Sequence, residues 1–182
     1  MFCHQRNLMF KKFVVALLFL AVASHASRAA TLLDSQFKGT GTLDGWTSAV
    51  GFIDFGIATT GYLSGTAATN DPQLNHAKSI KKGGQDKWGA FTVRLRQLDD
   101  AGKPVEINES GMVLIFGKVP FSQATLVSPT GAGFVTLTYD LAGVDANESG
   151  VIRFDPIGNT ISQHRAPRFE IDYIQVTMVP GS

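Results

Sequence analysis

The chain has 182 residues, with 16 Lys and Arg against 15 Asp and Glu and a single cysteine. This near balance, with basic residues scattered apart from Lys78, Lys81 and Lys82, argues against a nucleic-acid partner, whose phosphates call for a basic stripe. One cysteine excludes an internal disulfide and any multi-thiolate metal site.

The N-terminus is organised as an export signal. Met1 to Lys12 carries Arg6, Lys11 and Lys12 and no acid, Phe13 to Ala23 is unbroken apolar sequence, and small residues follow through Ala30. That order is a signal peptide, and the apolar run is short for a membrane span. Small residues at −3 and −1 permit cleavage after Ala29 (with Ser27) or after Ala26 (with Ser24). The expected organisation is a signal peptide over 1–29 and one domain over 30–182, with an uncleaved N-terminal anchor as the alternative. Cys3 leaves with the signal. Removing Arg6, Lys11, Lys12 and Arg28 leaves twelve basic residues against fifteen acidic ones, so the exported domain is mildly acidic. Localisation is therefore read as secreted, periplasmic or cell-surface, with no membrane span after cleavage. Lack of cysteine in an exported domain points toward a bacterial source. Asn108 and Asn147 begin N-x-S sequons that matter only in a eukaryotic host.

Every one of the 19 glycines lies beyond the signal, mostly between short apolar runs. Gly51–Phe55 and Gly61–Thr66 read as two strands joined by a short turn. Asn75–Lys82 is the nearest approach to a helix, and it ends at Gly83-Gly84. In Ala90–Arg96, Phe91, Val93 and Leu95 share one face and Thr92, Arg94 and Arg96 the other, the period of a half-buried strand. Gly111–Phe116 is apolar on both faces and reads as a central, covered strand. Phe134–Leu141 alternates again, and Phe169–Thr177 is the last strand. Turn-rich connections such as Leu98–Pro104 and Gly143–Gly150 separate them. The expectation is an all-β domain of eight to ten strands in two sheets.

Several short motifs occur in order: Asp44-Gly-Trp46, Gly61–Thr66, Asn70–Leu74, Val93–Arg96, Thr138–Leu141, Ile152–Pro156 and Ile171–Ile174. Together they resemble the galactose-binding-like jelly-roll superfamily, in the version appended to secreted bacterial polysaccharide-degrading enzymes. The resemblance covers the whole domain. It implies a two-sheet antiparallel jelly-roll β-sandwich used for non-catalytic carbohydrate binding, and one structural calcium ion between the first and last strands. In the calcium-binding relatives an Asp of the last strand is a ligand, which maps to Asp172. Asp34 and Gln36 of the first strand and Asp71 of the loop after the early hairpin are placed to complete the set of hard oxygens. The competing reading has Asp172 bonding a neighbouring loop.

Sugar sites set flat aromatic rings against the pyranose and fix its hydroxyls with polar groups. The candidates are Trp88 beside the Gly83-Gly84 loop, Tyr62, and the outward-facing Arg94 and Arg96. The alternative for the arginines is solvated side chains or inter-strand ion pairs, and Trp46 is read as core. Glu170-Ile-Asp-Tyr-Ile-Gln175 resembles the acidic strand of laminarinase-type glycoside hydrolases, but Gln175 stands where an acid/base carboxylate is needed, so no catalysis is expected. Asp71-Pro72 and Asp155-Pro156 read as Asx turns. His76 and His164 sit in no catalytic or zinc-binding motif. The leading function is a secreted carbohydrate-binding module for polysaccharide or cell-surface glycan. The alternatives are an adhesive surface protein that contacts other cell-surface proteins through the same sandwich, and a small polysaccharide lyase or hydrolase.

Overall fold

The computed structural model describes residues 29–69, 71–76, 79–107, 112–158 and 168–181. The expected signal peptide up to residue 28, Cys3, Lys78, the Asn108 sequon and His164 lie outside the described residues. Those residues form thirteen strands in two antiparallel sheets and no helix. No helix among them is long and apolar enough to cross a membrane.

The larger sheet is built on two twelve-residue strands, β6 (Lys87–Leu98) and β13 (Arg168–Val179), which pair from Arg168–Leu98 to Val179–Lys87. Shorter strands complete both outer edges. On β13, β4 (Leu63–Ala67) covers Arg168 to Ile171 and β1 (Ala30–Gln36) covers Tyr173 to Met178. On β6, β11 (Phe134–Asp140) covers Ala90 to Leu95 and β7 (Pro104–Val105) covers Gln97 and Leu98. The sheet ends in β10 (Leu126–Gly131) beyond β11 and in β3 (Phe52–Ile57) beyond β4.

One residue is inserted in β13 at Asp172, where the register steps from Ile171–Leu95 to Tyr173–Arg94. The bulge keeps Ile171, Ile174 and Val176 all on the core side, fully buried, despite their uneven spacing. It falls where β4 gives way to β1, and the amide of Phe37, just past β1, donates to the Asp172 carbonyl at 2.9 Å.

The smaller sheet runs in the order β2 (Trp46–Val50), β5 (Gln73–His76), β12 (Ile152–Phe154), β8 (Leu114–Phe116) and β9 (Val119–Phe121). Its inward residues, Trp46, Leu74, Leu114, Phe116, Ile152 and Phe154, pack against Phe91, Val93, Leu95, Leu137 and Tyr139 of the larger sheet. Rings meet across the interface, Phe91 with Phe154 at 5.5 Å and Trp88 with Phe116 at 4.7 Å between centroids. Each such buried side chain stabilises the fold by roughly 1.5–3 kcal/mol.

Four expectations are corrected here. The strands outnumber the expected eight to ten because β7, β8, β9 and β12 are only two or three residues long, too short for alternation to register. Of the stretch nearest to a helix, Asn75 and His76 belong to β5, and Ile80 makes an isolated β-bridge with Gly150. Gly150 has no room for a Cβ, which would lie 2.6 Å from the Ile80 carbonyl oxygen. In Gly111–Phe116 the strand is confined to Leu114–Phe116, and its outward residue Ile115 is only half-buried rather than covered.

Trp88 is the fourth. Expected at the surface, it is 1% exposed, with Nε1 donating to the Asp145 carbonyl at 3.2 Å and the ring in the core. Trp88→Ala is therefore expected to lower stability by about 3–5 kcal/mol in urea unfolding. A loss below about 1 kcal/mol would place the ring outside the core.

Candidate functional site

The outward faces of the two sheets carry different chemistry. On the larger sheet Arg94 and Arg96 do project away from the core, and Asp172 and Glu170 of β13 meet them. Arg94 pairs with Asp172, and Arg96 pairs with Glu170, 2.5 Å from Nη2 to Oε2. The remaining donors are engaged as well: Arg94 Nε donates to Thr130 Oγ1 at 3.0 Å and Arg96 Nη1 to the Ala132 carbonyl at 3.0 Å. Glu170 also accepts from Thr60 Oγ1 at 2.8 Å.

Beneath the guanidiniums lies Phe134, which the sequence reading did not single out as a contact. Arg94 and Arg96 stack over its ring at 4.3 and 4.5 Å, and Tyr62 tilts against it at 5.0 Å. The structure thus gathers Arg94, Arg96 and Tyr62 in one place and leaves Trp88 out. The arginines make the inter-strand ion pairs that were the competing reading. The carboxylates of Glu170 and Asp172 are matched by guanidiniums, which leaves neither free for acid/base work.

The proposed calcium ligands do not come together as one donor set. Asp172 already faces Arg94. Asp34 accepts from Gln36 Nε2 at 2.5 Å and from Gln175 Nε2 at 3.0 Å. Asp71 lies on the other sheet, beside β5. Among the described residues no group of three or more His, Cys, Asp or Glu is arranged to hold a metal ion.

On the smaller sheet the outward groups are open. Arg153 stands between two fully buried inward neighbours, Ile152 and Phe154, so its own side chain points out, opposite Asn75 of β5 and Ile115 of β8. The same alternation turns Val113 and Ile115 outward between Met112, Leu114 and Phe116, and Gln73 outward beside Leu74. Asp71, Gln73, Val113, Ile115, Arg153 and Asp155 line a pocket of about 220 Å³. Val113 and Ile115 form an aliphatic floor, and an amide, a guanidinium and two carboxylates surround it.

These polar groups are mostly uncommitted. Arg153 is exposed and makes no ion pair among the described residues. Gln73 spends one N–H on Asp71, at 2.8 Å. Beside Arg153, Asn75 Oδ1 is buried without a hydrogen-bond partner, the only such side-chain atom among the described residues. Asp155 is the exception. It is 3% exposed, and its Oδ1 accepts from the amides of Ile157 and Gly158 at 2.9 and 2.7 Å, closing a turn. Gln97, reaching across from β6, fixes the same turn by donating to the Pro156 carbonyl at 3.0 Å.

Two other hollows carry less. The larger, about 390 Å³, lies between residues 79–84 and 146–149, so its walls are loops rather than strands, a less rigid mount for a ligand. The second, about 270 Å³ around Val105, Pro129 and Phe134, is mainly apolar. Neither adds an unpaired guanidinium.

Of this pocket, sequence reasoning named Asp71, as a calcium ligand or an Asx turn, and Asp155, as an Asx turn, which the bonds from Ile157 and Gly158 match. Gln73 and Arg153 went unrecognised as ligand groups. The available signal was Val113 and Ile115, apolar residues at outward positions with no layer to cover them. Comparison with protein-family models and with curated proteins finds no match to this chain. The class is therefore defined by the architecture alone: an all-β, two-sheet domain with a polar pocket on the outer face of its smaller sheet.

Burial pushes the Asp155 carboxyl up to about 6, with the charge of Asp71 adding to it and the two backbone hydrogen bonds opposing. The folded state then keeps a proton that the unfolded chain releases at its ordinary value of 3.8. The resulting stability is complete below pH 4 and is lost as pH rises through 6, by an amount on the order of 2–3 kcal/mol. Asp155→Asn keeps the Oδ1 acceptor and removes the titration. The stability difference between the wild-type protein and this variant, from urea unfolding at pH 4 to 7.5, is expected to shift toward the variant as pH rises. A difference that is flat with pH would refute the raised carboxyl.

Proposed function

We propose that the protein is an exported, non-catalytic carbohydrate-binding module with jelly-roll topology, and that it binds polysaccharide or cell-surface glycan on the outer face of its smaller sheet. The observation that carries this reading is the guanidinium of Arg153, without an ion pair among the described residues, beside Gln73 and Asp71 and above the aliphatic floor of Val113 and Ile115. A sugar ring presents an apolar C–H face and a rim of hydroxyls that both donate and accept. An aliphatic floor with a mixed rim of donors and acceptors complements it.

The site lacks an aromatic platform, which suits a module that takes its affinity from several sugars of a polymer rather than from one ring. The side chains project from β5, β8 and β12, so they are held by strands and need little ordering on binding. Export is supported by the basic, apolar and small-residue order of the first 30 residues. Absence of catalysis is supported by the pairing of Glu170 and Asp172 with arginines, and by Asp155 being closed into its own turn.

The test is a binding screen of the purified protein against a polysaccharide panel, with and without a calcium chelator. Arg153→Ala, at an exposed position, is expected to leave the protein folded and to weaken binding about tenfold or more, the worth of a charged hydrogen bond. Arg94→Ala is expected to leave affinity unchanged, and chelation likewise. If the folded protein binds no polysaccharide, or binds it equally well without Arg153, the reading fails.

A further inference from the structure

We propose that this pocket selects uncharged glycans and rejects uronate-bearing ones, and that Asp71 and Asp155 impose the choice. The inference rests on the pocket being the glycan site. Three charged groups face it: the carboxylates of Asp71, beside β5, and Asp155, after β12, and the guanidinium of Arg153, on β12. The rest of the lining, Gln73 on β5, Val113 before β8 and Ile115 on β8, is neutral. Two negative charges against one positive leave the pocket electronegative whenever both acids are ionised.

Both carboxylates carry hydrogen bonds, and Asp155 is buried as well. Asp155 is held by the amides of Ile157 and Gly158, and its turn is fixed from the opposite sheet by Gln97. Asp71 is tethered by Gln73. Repulsion between like charges is strongest where water is partly excluded, as it is around Asp155. A sugar carboxylate that approached Arg153 would have to sit among these two acids. A hydroxyl meets no such conflict, because it donates to Asp71 and accepts from Arg153 or Gln73.

On the opposite face the same residue types are paired arginine to carboxylate, and a charged ligand would have to break an ion pair to bind there. In the pocket on the smaller sheet two acids face one arginine and remain next to an open cavity. The selection works by rejection: the acids repel a charged ligand while still bonding a neutral one.

The experiment compares neutral polysaccharides (a β-glucan, a mannan and a galactan) with polygalacturonate and alginate at pH 7.5. The ligands are tested on the wild-type protein and on Asp71→Asn, Asp155→Asn and the double variant. The neutral class is expected to supply the binders, with uronates at least about tenfold weaker. The gap is expected to narrow in each single variant, to close in the double variant, and to shrink with added salt as charge effects do. Uronates that bind the wild type as tightly as neutral glycans would overturn the inference and leave the carbohydrate reading standing. So would a gap that persists in a double variant still able to bind neutral glycan. Binding of neither class overturns both.

Discussion

The pairing of β6 with β13 is the constraint on which the domain depends. These strands are the two longest and lie side by side over their full length, joining residues about 80 apart in sequence. Everything in the larger sheet is laid against their two free edges in short pieces. The first strand, β1, can dock only after β13 exists, and β13 is the last strand among the described residues. The first and last parts of the domain are therefore coupled through one ladder. The bulge at Asp172 is the adjustment that lets a single strand serve two partners on one edge while keeping Ile171, Ile174 and Val176 on the core side.

That long ladder also decides what the larger sheet can do. Side by side on β6 and β13, arginines and acids meet at the spacing of cross-strand neighbours, and they pair. Phe134 and Tyr62 lie against the guanidiniums, and the group is largely screened from solvent, Glu170 most of all with a side chain only 5% exposed. Such a layer helps to fix register and engages most of the guanidinium donors. In the smaller sheet the strands are three to five residues long, and Arg153 has Asn75 and Ile115 as its cross-strand neighbours, neither of them an acid. One basic residue type is structural on one face and available on the other. The difference lies wholly in what stands opposite.

The parts of the fold that could be read from the sequence are those in which local pattern and final environment agree. Alternation in Ala90–Arg96 and Phe134–Leu141 identifies strands whose two faces really differ. Glycine-rich punctuation with no amphipathic run identifies an all-β domain. Reading failed where a residue's environment is supplied from far away. Trp88 sits beside a polar, glycine-rich loop, and only the closure of Ile80 on Gly150 and the approach of Phe116 bury it. Arg94 and Arg96 show correctly which way they face, but the acids that pair with them lie 74 and more residues onward. Asp172, Asp34 and Asp71 resemble a ligand set along the chain, yet Asp71 belongs to the other sheet.

The pocket was hidden for a related reason. Its residues come from three short strands and the chain beside them, with the first and last of them 84 positions apart along the chain. None of those segments is long enough to show a period. What remained visible was a contradiction: Gly111–Phe116 is apolar on both faces, and two faces of apolar side chain need two covers. The domain supplies one, the larger sheet, and no second layer lies over Val113 and Ile115 among the described residues. Isolated surface aliphatics are commonplace and carry little weight. Val113 and Ile115 differ in being flanked by a guanidinium with no ion pair among the described residues and by a carboxyl that burial has pushed up. Where Arg94 and Arg96 meet acids across the strands, Arg153 meets Asn75 and Ile115. It is on this open arrangement of the smaller sheet that the proposed glycan site rests.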